Sequence, residues 1–180
     1  MALIYLIRHG QAMARWSEAV DPGLSDLGRE QADAMAARMR VIGPLAIVSS
    51  PLARARETAA PLAEFWRVKP VIEPALTEVP SPPGEDRKAW FDRVSTGSWN
   101  DAGDVVVQWR QDIIDYLGGL RNDTVIFSHF VIISAAVGVA TGSQRIVGFR
   151  PDSCSVTILE NENGVLRLVE RGSEASTVVR

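Results

Sequence analysis

The sequence predicts an α/β protein: a three-layer αβα sandwich around a mostly parallel central sheet, built as one domain of 180 residues. Three observations predict it. Leu3 to Ile7 form an apolar run without polar alternation, the pattern of a central parallel strand covered on both faces, and the run stops abruptly at Arg8, His9 and Gly10. Further short apolar runs are joined by amphipathic helical stripes, as crossover connections require. Late in the chain, Asn163-Gly164 separates two strand-like segments, a hairpin signal that closes the sheet with antiparallel strands.

Each element follows in order. Residues 11 to 24 hold Trp16, Asp21, Pro22 and Gly23 without a steady period and read as a loop. Ser25 or Asp26 caps the first helix, whose stripe is Ala32, Met35, Met39 and Ile42 and which Gly43-Pro44 ends. Leu45 to Val48 is the second strand; Ser50 is the expected cap of the helix behind it, with Pro51 at its first position. Leu52, Ala55, Ala59, Leu62 and Trp66 mark that helix's buried stripe, and Pro61 inside it predicts a kink or restart. Val71 to Ala75 reads as an edge strand. Residues 77 to 101, punctuated by Pro80, Pro82, Pro83, Gly84 and Gly97, read as an inserted flap with one short helix around Asp86 to Val94. Its Trp90 and Trp99 are expected to pack as a satellite core rather than line a substrate mouth.

Val106, Trp109, Ile113, Tyr116 and Leu120 then pattern a helix that Gly118-Gly119 weakens at its end. Thr124 to Phe127 is a buried strand terminating at Ser128-His129. Val131 to Ala140 fits strand or helix by period, and its length and alanines favour a helix with Gly142 just past its end. Ser153 to Leu159 and Val165 to Val169 form the hairpin, and the polar tail after Arg171 is expected to be loose.

Composition narrows the function. A formal charge of -3 gives no molecule-wide basic field, so nucleic acid is not the expected partner, and any anion must be held by a local cluster. The single cysteine, Cys154, excludes a disulfide framework or a thiolate metal cage and suits a cytoplasmic setting. Residues 2 to 7 are too few for a signal h-region or a membrane span, so no membrane association is expected.

The chain contains two histidines, His9 and His129, and both follow directly after a predicted core strand, at the edge where ligands bind in open α/β sheets. Arg8 adjoins the first, and Arg54 lies in the first turn of the second helix. Two cations beside two imidazoles repel a metal ion and attract an anion. Arginine grips phosphate oxygens bidentately, each charge-assisted bond being worth about 1.5 to 3 kcal/mol, and the helix amino end is expected to add backbone donors. An imidazole in such company resists protonation, and a neutral imidazole facing a phosphoryl group is a nucleophile.

The residues resemble the histidine phosphatase superfamily, in its phosphoglycerate mutase-like branch 1. Arg8-His9-Gly10 matches the signature tripeptide. Leu24 to Ala32 resembles the segment opening the first crossover helix, Ser49 to Ala59 the segment carrying the second phosphate-binding arginine, Leu76-Thr77-Glu78 the place of the proton donor, and Phe127-Ser128-His129 that of the second histidine. The resemblance implies a phosphohistidine on His9, a phosphoryl group held by Arg8, Arg54 and His129, and Glu78 as the proton donor, with no metal and no cofactor. Phe130 stands where the family usually has glycine, and Gln11 and Arg15 lie where the family has other polar side chains. Gln11, Arg15 and Phe130 are therefore candidate substrate contacts, Arg15 being equally readable as an exposed loop charge.

The expected activity is hydrolysis of a phosphomonoester, carried by a small molecule or a phosphoprotein. A phosphomutase ranks below it for want of an extra basic cluster, and a phosphate-binding scaffold without turnover is the third reading. The sequence does not specify an oligomeric state.

Overall fold

Successive residues of the first strand answer to different neighbours. In the computed structural model, which describes residues 1–14, 18–19 and 21–175, β1 spans Ala2–Arg8; Ile4 and Leu6 enter one buried cluster, while Tyr5 and Ile7 enter another. The alternation places a helical layer on each side of the sheet, which is why the strand sequence lacks a polar face. One layer is α1 (Asp26–Met39) with α2 (Ala53–Trp66), joined around Met35, Ala59, Leu62 and Phe127. The other is α4 (Asp104–Gly119) with α5 (Phe130–Thr141), joined around Ile113, Leu117, Ile133 and Ile126.

Six strands form the sheet: β1, β2 (Ala46–Ser49), β3 (Val71–Ile72), β4 (Thr124–Ser128), β5 (Val156–Glu162) and β6 (Val165–Glu170), in the order β3-β2-β4-β1-β5-β6. The first four are parallel, and β5 and β6 run antiparallel at one side. Asn163 (φ 54°) and Gly164 (φ 93°) supply the two positive φ values of the hairpin turn, as their sequence promised. Register then sets the site: Arg8 pairs with Ser128, and Ser49 with Phe127, so the three chains leave the sheet at one level as His9, Ser50 and His129.

Local chemistry explains the element ends. Ser25 Oγ accepts from the Gly28 amide at 3.0 Å, and Asp86 Oδ1 accepts from the Ala89 amide at 2.8 Å, capping α1 and α3 (Arg87–Val94). A third apolar cluster packs Val79, Trp90, Trp99, Phe130 and Ile146, and it holds α3 and the 3₁₀ turn at Trp99–Asp101 against the start of α5. Both tryptophans are buried, as a satellite core requires. No helix among the described residues is long and apolar enough to cross a membrane.

Several expectations are corrected. Helix α2 begins at Ala53 with Leu52 as its cap, so Pro51 is not its first residue and Ser50 is not its cap. The structural reason is Asp21, whose Oδ1 takes the Ala53 amide at 2.7 Å and leaves Ser50 to other work. Helix α2 also runs through Pro61 without restarting, because burial of Leu62, Ala63 and Trp66 outweighs the one lost hydrogen bond. The edge strand expected to reach Ala75 is only two residues long; Pro74–Leu76 turns into a 3₁₀ helix capped by Glu73. Ile42 is outside the stripe of α1 and exposed. β5 starts at Val156 rather than Ser153, since Cys154 takes a positive φ of 55° while its amide donates to the Arg8 carbonyl. The tail is tied as far as Ala175: the Asp152 amide donates to Ser173 and the Ala175 amide to Arg150.

Candidate active site

Arg8 ends β1, and the register of β1 with β4 makes the His9 amide donate to the Ser128 carbonyl at 3.0 Å. Gly10 follows where a side chain cannot fit: a Cβ there would lie 2.5 Å from the Gly28 carbonyl oxygen. Its amide is received by Thr58 Oγ1 at 3.0 Å, and that hydroxyl donates to the Arg54 carbonyl at 2.6 Å. The turn after β1 is thereby clamped to α2.

His9 is fixed by two contacts with opposite consequences. Its Nδ1 lies 2.7 Å from the Gly10 carbonyl, an acceptor only, so Nδ1 carries the ring proton. Its Nε2 receives the Arg54 Nε–H at 3.2 Å and is therefore the basic nitrogen. Burial first, then the charges of Arg8 and Arg54, hold His9 well below the ordinary imidazole range. The ring is neutral and its lone pair is on Nε2.

Arg54 is 2% exposed; its Nη1 has no hydrogen-bond partner and lies 4.0 Å from Asp21 Oδ1. Arg8 donates from Nη1 to the Pro151 carbonyl at 2.9 Å and stacks over the Phe130 ring at 5.3 Å, and its buried Nε is likewise unpartnered. Burial lowers both guanidinium pKa values, and the Glu78 charge opposes that shift in each. His129 is 0% exposed, with its ring centroid 5.2 Å from that of His9. Its Nε2 meets Ser50 Oγ at 2.8 Å, and its buried Nδ1 has no partner. Three donor-capable nitrogens are thus desolvated without an acceptor, which is costly in a closed core but suits a site built for an oxyanion. No cluster of potential metal ligands occurs among the described residues.

Glu78 enters from the loop after the 3₁₀ turn. Its Oε1 accepts from the Val79 amide at 2.9 Å and its Oε2 from the Val131 amide at 3.3 Å, in the first turn of α5. Burial raises its pKa, against the lowering effect of those two amides and of Arg54 and Arg8. The loop is held by Ser128 Oγ donating to the Leu76 carbonyl at 3.2 Å and by Trp109 Nε1 donating to the Thr77 carbonyl at 2.9 Å.

Arg8, His9, Arg54, Glu78 and His129 therefore meet at one edge of the sheet. Phe130 lies there too, but as a buried packing residue beneath the Arg8 guanidinium rather than an open substrate contact. The exposed Gln11 side chain is tied to the start of α1, its Oε1 accepting from Ser25 Oγ at 2.9 Å. Arg15 lies outside the described residues. At the amino end of α2, where backbone donors are expected, Asp21 takes the Ala53 amide and Ser50 Oγ the Leu52 amide at 3.3 Å. Ser50, Asp21 and Thr58 escaped the sequence reading as site residues. Ser50 looked like a cap, and only the strand register shows that it faces His129.

A family model described as the histidine phosphatase superfamily (branch 1) matches residues 4–173. The chain is 25% identical over 189 residues to "Probable phosphoglycerate mutase GpmB" of Erwinia tasmaniensis, covering 90% of this chain and 86% of that one. It is 46% identical over 65 residues to glucosyl-3-phosphoglycerate phosphatase of Mycolicibacterium vanbaalenii, covering 34% of this chain and 29% of that one. Another curated relative is matched over only 14% of its length. Among solved structures, a mycobacterial glucosyl-3-phosphoglycerate phosphatase in complex with VO3 superposes with a TM-score of 0.72 at 24% identity, over 98% of this chain and all of that one. That likeness shows the fold.

Proposed function

The chain belongs to branch 1 of the histidine phosphatase superfamily, and from that membership we propose that it hydrolyses phosphomonoesters through a phosphohistidine on His9. One observation carries the proposal above the others. The Gly10 carbonyl holds the His9 proton on Nδ1, which leaves the lone pair on Nε2, where the Arg54 Nε–H meets it.

In the first step His9 Nε2 donates its lone pair to phosphorus, an N–P bond forms and the ester P–O bond breaks. The leaving oxygen takes the proton of the Glu78 carboxyl. Burial keeps that carboxyl protonated at a higher pH than an exposed one, which is what a general acid needs, and such an acid contributes about 10²- to 10⁴-fold. Glu78 is then a carboxylate that accepts a proton from water as the water oxygen attacks phosphorus. The N–P bond breaks, phosphate leaves, and His9 and Glu78 regain their starting states. Arg8, Arg54 and His129 supply donors to the phosphoryl oxygens throughout, which stabilises the charge that develops there. A phosphorylated small molecule fits the phosphatases that this chain resembles, and a phosphoprotein side chain would use the same chemistry. The free, buried Cys154 thiol, pushed up to about 12 by burial, is the state that a reducing cytoplasm preserves, and we place the protein there.

The test is release of inorganic phosphate from a panel of phosphomonoesters by the wild type and by His9→Ala. Release is expected from the wild type alone, with a preferred group of esters naming the substrate class. Release that persists in His9→Ala would rule out the phosphohistidine; transfer of phosphoryl to an added alcohol in preference to water would move the assignment to a mutase.

A further inference from the structure

A buried hydroxyl has one proton to place, and for Ser50 the surroundings leave a single recipient. Ser50 is 0% exposed. Its Oγ accepts from the Leu52 amide at 3.3 Å and lies 2.8 Å from His129 Nε2, and among the described residues no carbonyl or carboxylate receives its proton. If His129 Nε2 carried the ring proton, it would donate to Ser50 Oγ, and the hydroxyl proton would be stranded in a dry interior. With the proton on Nδ1 instead, both groups are satisfied: Oγ–H donates to Nε2, and Nε2 accepts. The buried His129 Nδ1, which has no partner among the described residues, then carries an N–H, in a ring whose centroid lies 5.2 Å from that of His9.

We infer that Ser50 is a positioning residue which donates its hydroxyl proton to His129 Nε2 and so holds this imidazole as a neutral Nδ1–H donor to a tetrahedral oxyanion. This rests on the proposed reading of the site as an oxyanion pocket, but not on turnover. It divides the work of the two rings. His9 keeps a bare Nε2 because a carbonyl takes its Nδ1 proton, whereas His129 keeps a protonated Nδ1 because a hydroxyl fills its Nε2. Either ring in the other tautomer would fail: a bare Nδ1 on His129 would set a lone pair against a phosphoryl oxygen. The inference also gives the serine that follows β2 a use beyond accepting the Leu52 amide, since the first amide of the helix behind it is taken by Asp21.

The chain has only two histidines, so ring nitrogen resonances of ¹⁵N-labelled protein read both tautomers directly, with His9→Gln assigning the signals. In the wild type, His129 is expected to show a protonated Nδ1 and a hydrogen-bonded, unprotonated Nε2. Ser50→Ala should shift His129 toward the Nε2-protonated form and weaken binding of inorganic phosphate about tenfold, the value of one neutral hydrogen bond, measured by titrating the histidine signals. Ser50→Thr, which keeps the hydroxyl, should restore both. A wild-type His129 with a bare Nδ1 would overturn the inference outright, even should Ser50→Ala fail to fold, as would a Ser50→Ala tautomer and phosphate affinity equal to the wild type's. Absence of ester hydrolysis with the expected tautomers and phosphate affinities would defeat the phosphatase reading and leave Ser50's role standing.

Discussion

Glu78 and His9 are displaced from their ordinary pKa values in opposite directions, and the pair sets the pH range in which the proposed reaction runs. Burial lowers His9, so the nucleophile stays neutral well into acid; burial raises Glu78, so the acid keeps its proton above the ordinary carboxyl range. Turnover should therefore hold at mildly acidic pH and fall as pH rises through the raised Glu78 pKa. Glu78→Gln should lower kcat by about 10²- to 10⁴-fold and remove that basic limb, checked by kcat/KM against pH. Stability gives the sign independently. The folded state binds the Glu78 proton more tightly than the unfolded chain, so its contribution is full below the unfolded value and is lost as pH rises through the folded one. The Tm difference between Glu78→Gln and wild type should accordingly grow in favour of the variant across that window. Phe130 is the second residue with a separable role. Truncation to Ala would open a cavity costing about 3 to 5 kcal/mol, but Phe130→Leu keeps most of the packing while removing the ring beneath Arg8. The expected result is a folded enzyme whose KM rises several-fold with kcat less affected, measured by steady-state kinetics beside a thermal melt.

Elements rather than single contacts explain what could be read in advance. β1, β4 and α5 were legible because a run buried on both sides carries its burial in its own composition, and Asn163-Gly164 because a turn with two positive φ values restricts its residues. The end of β2 was not legible. Asp21 caps α2 across 32 residues of sequence, and no local pattern distinguishes that long-range cap from Ser50 as a local one. The site divides in the same way: Arg8, His9, Arg54, Glu78 and His129 were found from strand ends and family-like segments, whereas Ser50 became visible only through the register of β2 with β4. Phe130 was read as a substrate contact because sequence order shows that it follows His129 but not that it turns under Arg8. Two changes test the element ends. Asp21→Ala should cost about 1 kcal/mol through the lost cap, a Tm fall of about 2 to 4 °C, and should raise KM by releasing Arg54. Asn161→Ala should cost about 3 kcal/mol without a specific effect on KM, because its Nδ2 serves the Leu117, Gly118 and Leu120 carbonyls at the end of α4 while its Oδ1 receives the Gly164 amide.

At the scale of the whole molecule, the three apolar clusters are unequal in what holds them. Two flank the sheet and share its strands, so opening either exposes paired backbone. The third joins residues 79 to 106 to α5 and Ile146 with no strand of the sheet, and the stretch from Pro82 to Asp86 beside it is exposed along its whole length. Local opening should therefore cost least there. Brief trypsin treatment is expected to cut first within residues 81–96, after Arg87, Lys88 or Arg93, before the exposed Arg67 or Arg121 on the frame of the sheet. Phe130 belongs both to this cluster and to the stack under Arg8, so an anion that orders Arg8 should also favour the closed segment. Vanadate at saturating concentration should slow the first cut by the factor that its binding adds to the closed state, and should slow it less in Phe130→Leu. First cleavage at Arg67 or Arg121 would show that the sheet's own edges open more readily than this segment. Equal slowing in Phe130→Leu would show that the segment responds to the anion through contacts other than this ring.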